Sequence, residues 1–164
     1  MTLAELNACD RKNFVDAIGW VFEHSPWVAG RAWERRPFPS VDDLHTAMML
    51  EVTRATTAEQ IGLLRAHPDL GTRARMSDRS AREQSGAGLD RMTPIDFERL
   101  LRLNEAYRRT FGFPFLFAVK GSTTPQILAA LEARLTGAHG DELAEALRQV
   151  SRIARARLEE AIAP

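Results

Sequence analysis

The 164-residue chain carries one cysteine, Cys9, no excess of charge of either sign and no long apolar run. Each shortage excludes something. A lone thiol leaves no intrachain disulfide and no CxxC metal knuckle, and it suits a reducing compartment. Cys9 itself reads as a small residue near a helix start. Twenty-two Lys and Arg offset twenty-two Asp and Glu, so no overall field draws the protein to nucleic acid or to an anionic membrane. No stretch approaches the roughly 18 apolar residues of a membrane span. The start lacks the basic and apolar regions of a secretory signal, and the final Ala-Ile-Ala-Pro is not a peroxisomal Ser-Lys-Leu address. The expectation is a soluble cytoplasmic protein with one domain over residues 1–164, long enough to bury about two-thirds of its unfolded surface. Paired strands, internal repeats and low-complexity linkers are absent from the pattern as well.

What is present is helical. Asp10 caps a segment with Phe14, Ile18, Val21 and Phe22 at helical spacing, running to Ser25-Pro26. A short helix covers Trp27 to Trp33, and Ser40-Val-Asp-Asp43 opens another through Leu44, Met48 and Val52. Thr57-Ala-Glu-Gln60 reads as a capping box for the helix that delivers His67. A further helix is expected from about Ser77 to Ser85. Thr93-Pro94 places an N-cap before a proline at N1, opening a long helix with Phe97, Leu100, Leu101, Asn104 and Tyr107 that ends near Gly112. Thr124-Pro125 starts the next. Gly137 to Gly140 separate it from a last helix, Asp141 to Ile162, striped by Leu143, Leu147, Val150, Ile153 and Leu158. The fold class is therefore all-α, a single-domain bundle of about eight helices with a loop-rich active-site segment between His67 and Leu89. The run Phe113-Pro-Phe-Leu-Phe-Ala-Val119 is too short for a typical helix, and Pro114 argues against a central strand. It reads as a buried extended segment, whose N–H groups need partners that a polar ligand can supply.

The chemistry concentrates at Ala66-His-Pro-Asp-Leu-Gly71 and Ser80-Ala-Arg-Glu-Gln-Ser-Gly-Ala-Gly88. Proline disfavours α geometry in the residue before it, so His67 sits at a helix exit. His24, His45 and His139 read as capping a helix or satisfying a neighbouring carbonyl, and with no pair at i and i+4 a metal site is not expected. Ser80, Glu83 and Gln84 share one helical face, though Ser80 and Glu83 equally fit a capping box. Arg73, Arg75, Arg79 and Arg82 form a basic cluster. It fits a solvated face, an anionic small substrate or nucleic acid, the last weakest because no aromatics interleave with the arginines.

Three ordered blocks, His-Pro-Asp-Leu-Gly at 67–71, Ser-x-x-Glu-Gln-x-x-Ala-Gly-Leu at 80–89 and Leu-Asn-x-Ala-Tyr-x-x-x-Phe-Gly-Phe-Pro-Phe at 103–115, precede a closing Arg-Ile-Ala-x-x-Arg-Leu at 152–158. In this series the chain resembles the OHCU (2-oxo-4-hydroxy-4-carboxy-5-ureidoimidazoline) decarboxylases of urate breakdown. The resemblance implies an all-α, commonly homodimeric enzyme without a cofactor that gives (S)-allantoin. It further implies His67 as catalytic acid, with Glu83 beside it hydrogen-bonding the substrate's hydroxyl or ureido group. Substrate would be held by Pro68 through its carbonyl, by Ser80 and Gln84, by the backbone of Phe115, Leu116, Phe117, Ala118 and Val119, and by Arg157. No metal, nucleic acid or membrane partner is implied. Two departures, Thr110 where a basic residue is common and Ala-His-Gly before Asp141 where Asn-Arg is usual, touch the surface and a helix start only. Two other readings stand beside it: a different acid–base lyase or hydrolase acting on a related ureide, and a helical binding module in which His67 is structural.

Overall fold

A computed structural model describes residues 1–71, 82 and 84–163. Among the described residues eight α-helices can be bounded, together with three 3-10 turns and no strand beyond an isolated bridge between Thr2 and Ala163. The all-α expectation is met. The chain forms two compact units, Met1–Ala66 with Val150–Pro164, and His67–Gln149.

The first unit holds α1 (Leu3–Ala8), α2 (Arg11–Ile18), α3 (Trp27–Ala32), α4 (Val41–Arg54), α5 (Thr57–Arg65) and the later half of α8 (His139–Ala161). Asp10 caps α2 as expected, but the α-helix stops at Ile18 and tightens into a 3-10 turn, Gly19–Val21. A side chain at Gly19 would meet Val15 at 3.1 Å and Pro26 at 3.2 Å, so its absence permits this close turn. On α3 the buried face is Val28, Ala29, Gly30 and Ala32, small residues that let α3 lie against both α2 and α4. The capping box of α5 is shifted by one residue from the expectation. Thr56 is the N-cap and Glu59 its N3 partner, accepting the Thr56 N–H at 2.8 Å. A carboxylate also favours the positive end of the helix dipole over a neutral amide, and Gln60 is thereby left to donate to the Val52 carbonyl at 2.9 Å.

His45, on α4, bonds the Ser151 carbonyl of α8 through Nε2 at 3.0 Å. Burial, opposed by that hydrogen bond, pulls its pKa below the usual value, with Arg155 lowering it further and Asp42 opposing. The unfolded chain then takes up a proton near pH 6.5 that the folded chain resists, so this contribution to stability is lost progressively as pH falls from the unfolded value toward the lower folded one. Thermal melting between about pH 7 and pH 5 should show a falling limb that His45→Gln flattens. An unchanged limb in the variant would assign it to other groups.

The second unit holds α6 (Pro94–Phe111), α7 (Thr124–Arg134) and the start of α8. Thr93 caps α6 with Pro94 at N1, and Gly112, at φ +79°, ends it. Leu100, Asn104, Tyr107 and Phe111 are its buried stripe, whereas Phe97 and Leu101, expected on that stripe, are exposed. For α7 the N-cap is Thr123, one residue before the expected Thr124. The aromatic run packs around Tyr107, whose ring lies 4.5 Å from Phe111 and edge-on to Phe113 at 6.1 Å and Phe115 at 5.4 Å. His139 bonds the Phe111 carbonyl, the same carbonyl-satisfying role as His45. Of the helix expected over 77–85, residues 82, 84 and 85 are described, and all three are helical.

Candidate active site

In the second unit the site is built on the turn that follows α5. Ala66 closes that helix, Pro68 prevents its continuation, and His67 lies between them with only 7% of its surface exposed. The next three residues are each fastened by a side chain from elsewhere in the unit. Asp69 Oδ1 accepts from Arg108 Nη2 at 2.7 Å. The Leu70 carbonyl accepts from Asn104 Nδ2 at 2.9 Å. The Gly71 N–H donates to Gln84 Oε1 at 2.8 Å. Asn104 and Gln84 are themselves buried, so their two bonds are shielded from competing water, whereas the Arg108–Asp69 pair is exposed. A loop held at three consecutive residues fixes where the preceding imidazole points.

Gly71 has to be glycine. Its φ is +78°, and a Cβ would come 2.6 Å from Leu100 Cδ2 and 3.2 Å from Met92 Cε. Gly121 shares the backbone conformation, φ +80°, but a side chain there meets open space. Gly121→Ala should therefore cost only the left-handed penalty of roughly 1–2 kcal/mol. Gly71→Ala adds a collision with Leu100 and should show the larger drop in melting temperature, together with lost turnover. Equal melting temperatures for the two variants would contradict this account of the loop.

The segment from Phe115 to Val119 is irregular, with Phe115, Leu116 and Val119 buried. The Leu116 carbonyl accepts from Arg134 Nη1 at 2.6 Å, and the Ala118 N–H donates to Gln149 Oε1 at 2.9 Å. No bond to the N–H or carbonyl of Phe117, or to the N–H of Val119, occurs among the described residues. The segment thus carries uncommitted backbone donors of the kind its sequence suggested.

In the first unit Arg157 is 3% exposed and Glu23 2%. Arg157 Nη1 donates to Glu23 Oε2 at 3.0 Å and to the Val21 carbonyl at 3.2 Å. Glu23 gave no sign in the sequence, where it sits after two apolar residues with no motif around it. Asn104 did give one, as a polar residue on an apolar stripe between Leu100 and Tyr107. Gln84 joins the His67 loop, with one acceptor position of its amide committed to Gly71. Pro68 is half-buried within it. Ser80 and Glu83, with Arg73, Arg75 and Arg79, lie outside the described residues, and Arg82 is exposed.

The family model of the OHCU decarboxylases matches residues 7–159. The chain belongs to the OHCU decarboxylase family. The 2-oxo-4-hydroxy-4-carboxy-5-ureidoimidazoline decarboxylase of Halalkalicoccus jeotgali is 47% identical over 164 residues, covering 100% of this chain and 93% of that protein. Its namesake from Haloferax volcanii is 48% identical over 160 residues, covering 98% and 95%. A crystal structure of (S)-allantoin synthase superposes with a TM-score of 0.82 at 30% identity, over 99% of this chain and 54% of that one. The chain spans about half the length of that solved protein. The OHCU decarboxylase match covers His67, the three residues that fasten its loop, the Phe115–Val119 segment and Arg157.

Proposed function

We propose that this chain decarboxylates 2-oxo-4-hydroxy-4-carboxy-5-ureidoimidazoline to (S)-allantoin and CO2 in urate breakdown, with residues 1–164 acting as one OHCU decarboxylase-like domain. The observation that carries the reading is the buried His67 on a loop fastened at three successive residues, in a chain whose relatives of matching length bear that activity in their names. A homodimer in the cytoplasm is part of the same reading, supported by the family resemblance and by the free thiol of Cys9.

The substrate supplies its own electron sink. Its carboxylate leaves a ring carbon that bears a hydroxyl and adjoins a C=N bond. As the C–C bond to CO2 breaks, the electron pair forms a carbon–carbon double bond, and the C=N pair moves onto the ring nitrogen, which takes a proton. The enol-like product then loses its hydroxyl proton and gains one at the neighbouring carbon, which becomes the stereocentre of allantoin. Net, one proton replaces CO2, and no resident electron-accepting group is required. The protein must hold the breaking bond perpendicular to the ring, disperse charge and deliver the proton to one face. His67 suits the delivery because an imidazole titrates near operating pH. Glu83 acts beside it, bonding the hydroxyl or the ureido N–H. Ser80, Gln84, the Pro68 carbonyl and the backbone of 115–119 hold the ureido group and ring, and Arg157 anchors a carboxylate or carbonyl.

The test is substrate choice. Made in place from urate by urate oxidase and hydroxyisourate hydrolase, the substrate should decay faster with the protein present, while related ureides should be left unchanged. Turnover of a related ureide alone would transfer the same residues to a different lyase or hydrolase.

A further inference from the structure

The two bonds on either side of Phe117 have a joint consequence. All peptide bonds in this segment are trans, the one cis bond among the described residues being Arg36–Pro37. In a trans peptide the C=O and N–H point in opposite directions. Arg134 draws the Leu116 carbonyl toward itself, so the Phe117 N–H of the same peptide faces away from Arg134. Gln149 draws the Ala118 N–H toward itself, so the Phe117 carbonyl of that peptide faces away from Gln149. Two peptide planes are fixed, and between them one residue presents an adjacent donor and acceptor with no partner among the described residues. Such a pair matches the N–H and C=O that stand side by side in a ureido group.

Both clamps are braced. Arg134 Nε donates to Glu142 Oε2 at 2.9 Å, with the two side chains 13% and 6% exposed, and its guanidinium lies 4.7 Å from the centre of the Phe115 ring. The Tyr107 hydroxyl donates to the same Glu142 oxygen. Burial, and then that bond, push the Tyr107 pKa up, so the phenol stays protonated as a donor. Gln149 is 4% exposed, and its Nε2 donates to Glu145 Oε1 at 2.6 Å, which fixes its amide with Oε1 toward Ala118.

We infer that Arg134 and Gln149 are positioning residues for the decarboxylation, fixing the two peptide planes that flank Phe117 so that its N–H and C=O receive the ureido edge of the substrate. Glu142 and Tyr107 hold Arg134 in that role. The inference rests on the proposed function, and its test separates the two.

Gln149→Met keeps the length of the side chain and removes the acceptor for Ala118, whereas Gln149→Glu keeps an acceptor. With substrate generated in place, Gln149→Met should raise KM about tenfold, the worth of one neutral hydrogen bond, change kcat less than KM, and lower the enantiomeric excess of the allantoin. Arg134→Met should resemble Gln149→Met, while Gln149→Glu, which keeps the acceptor for Ala118 but loses the donor to Glu145 and faces it with a second carboxylate, should fall between Gln149→Met and the wild type. A purely structural role would lower the folded fraction and leave KM and product chirality unchanged. That result would overturn the inference while the proposed function stood. A wild-type protein that fails to turn the substrate over would overturn the proposed function first. Should a variant not fold, amide exchange in the wild-type protein decides the matter. The Ala118 N–H should be protected with or without (S)-allantoin, and the Phe117 N–H should become protected only when (S)-allantoin is added. A Phe117 amide indifferent to saturating (S)-allantoin overturns the inference.

Discussion

Replacing His67 with asparagine should reduce turnover by at least about a hundredfold, the lower end of what a positioned general acid contributes, while leaving the melting temperature close to that of the wild type. Asparagine can still donate a hydrogen bond in a similar volume, but it cannot carry a proton to the substrate at neutral pH. The turn that bears position 67 is also held by side chains other than the imidazole. Its ties run from Asp69, Leu70 and Gly71 to Arg108, Asn104 and Gln84, and all remain in the variant. Residual turnover should yield allantoin of lower enantiomeric excess, because the proton then arrives from water on either face. Near-normal turnover in a folded His67→Asn protein would remove His67 from the chemistry.

The largest effect on stability is expected at Glu23. It and Arg157 form a buried ion pair, and removing one partner of such a pair leaves the other charge in a poor environment, at a cost of about 3–5 kcal/mol. The two single losses should not be equal. A guanidinium cannot give up its proton, whereas a buried carboxylate that loses its arginine can take one up and become neutral. Glu23→Ala should therefore destabilise more than Arg157→Met, by melting temperatures that fall about 2–4 °C for each kcal/mol in a chain of this size. Arg157→Met should act mainly on KM, as expected for an anchor of bound substrate. The double variant should be more stable than the sum of the single losses implies, and thermal melting of all four proteins measures that coupling. Glu23→Ala melting together with the wild type would show that the pair does not contribute in the way its burial implies.

Much of this was readable from the residues because it is local. Pro68 fixes where α5 must stop, Thr93-Pro94 and Gly112 bracket α6, and apolar positions recurring at helical spacing give the all-α class. The two shifted caps, Thr56 and Thr123, arise where neighbouring threonines compete for the same role and the side chain three residues on decides between them. Phe97 and Leu101 lie on the edge of the apolar stripe of α6, where periodicity alone does not separate half-covered from covered positions. What the sequence could not show is pairing over long separations. Glu23 with Arg157 spans 134 residues, Leu70 with Asn104 spans 34 and Ala118 with Gln149 spans 31. No periodicity links such partners, so candidate residues were legible as types in motifs while the pairings that fasten them were not.

Decarboxylation by this chain is measured by generating the unstable substrate in place from urate, adding the protein, and following the substrate's ultraviolet decay together with the circular dichroism of the allantoin that forms. Decay faster than background and an (S)-allantoin signal are expected, both reduced to near the background trace by His67→Asn. Decay at the background rate with no dichroic signal, from a protein shown to be folded, would contradict the proposed decarboxylation.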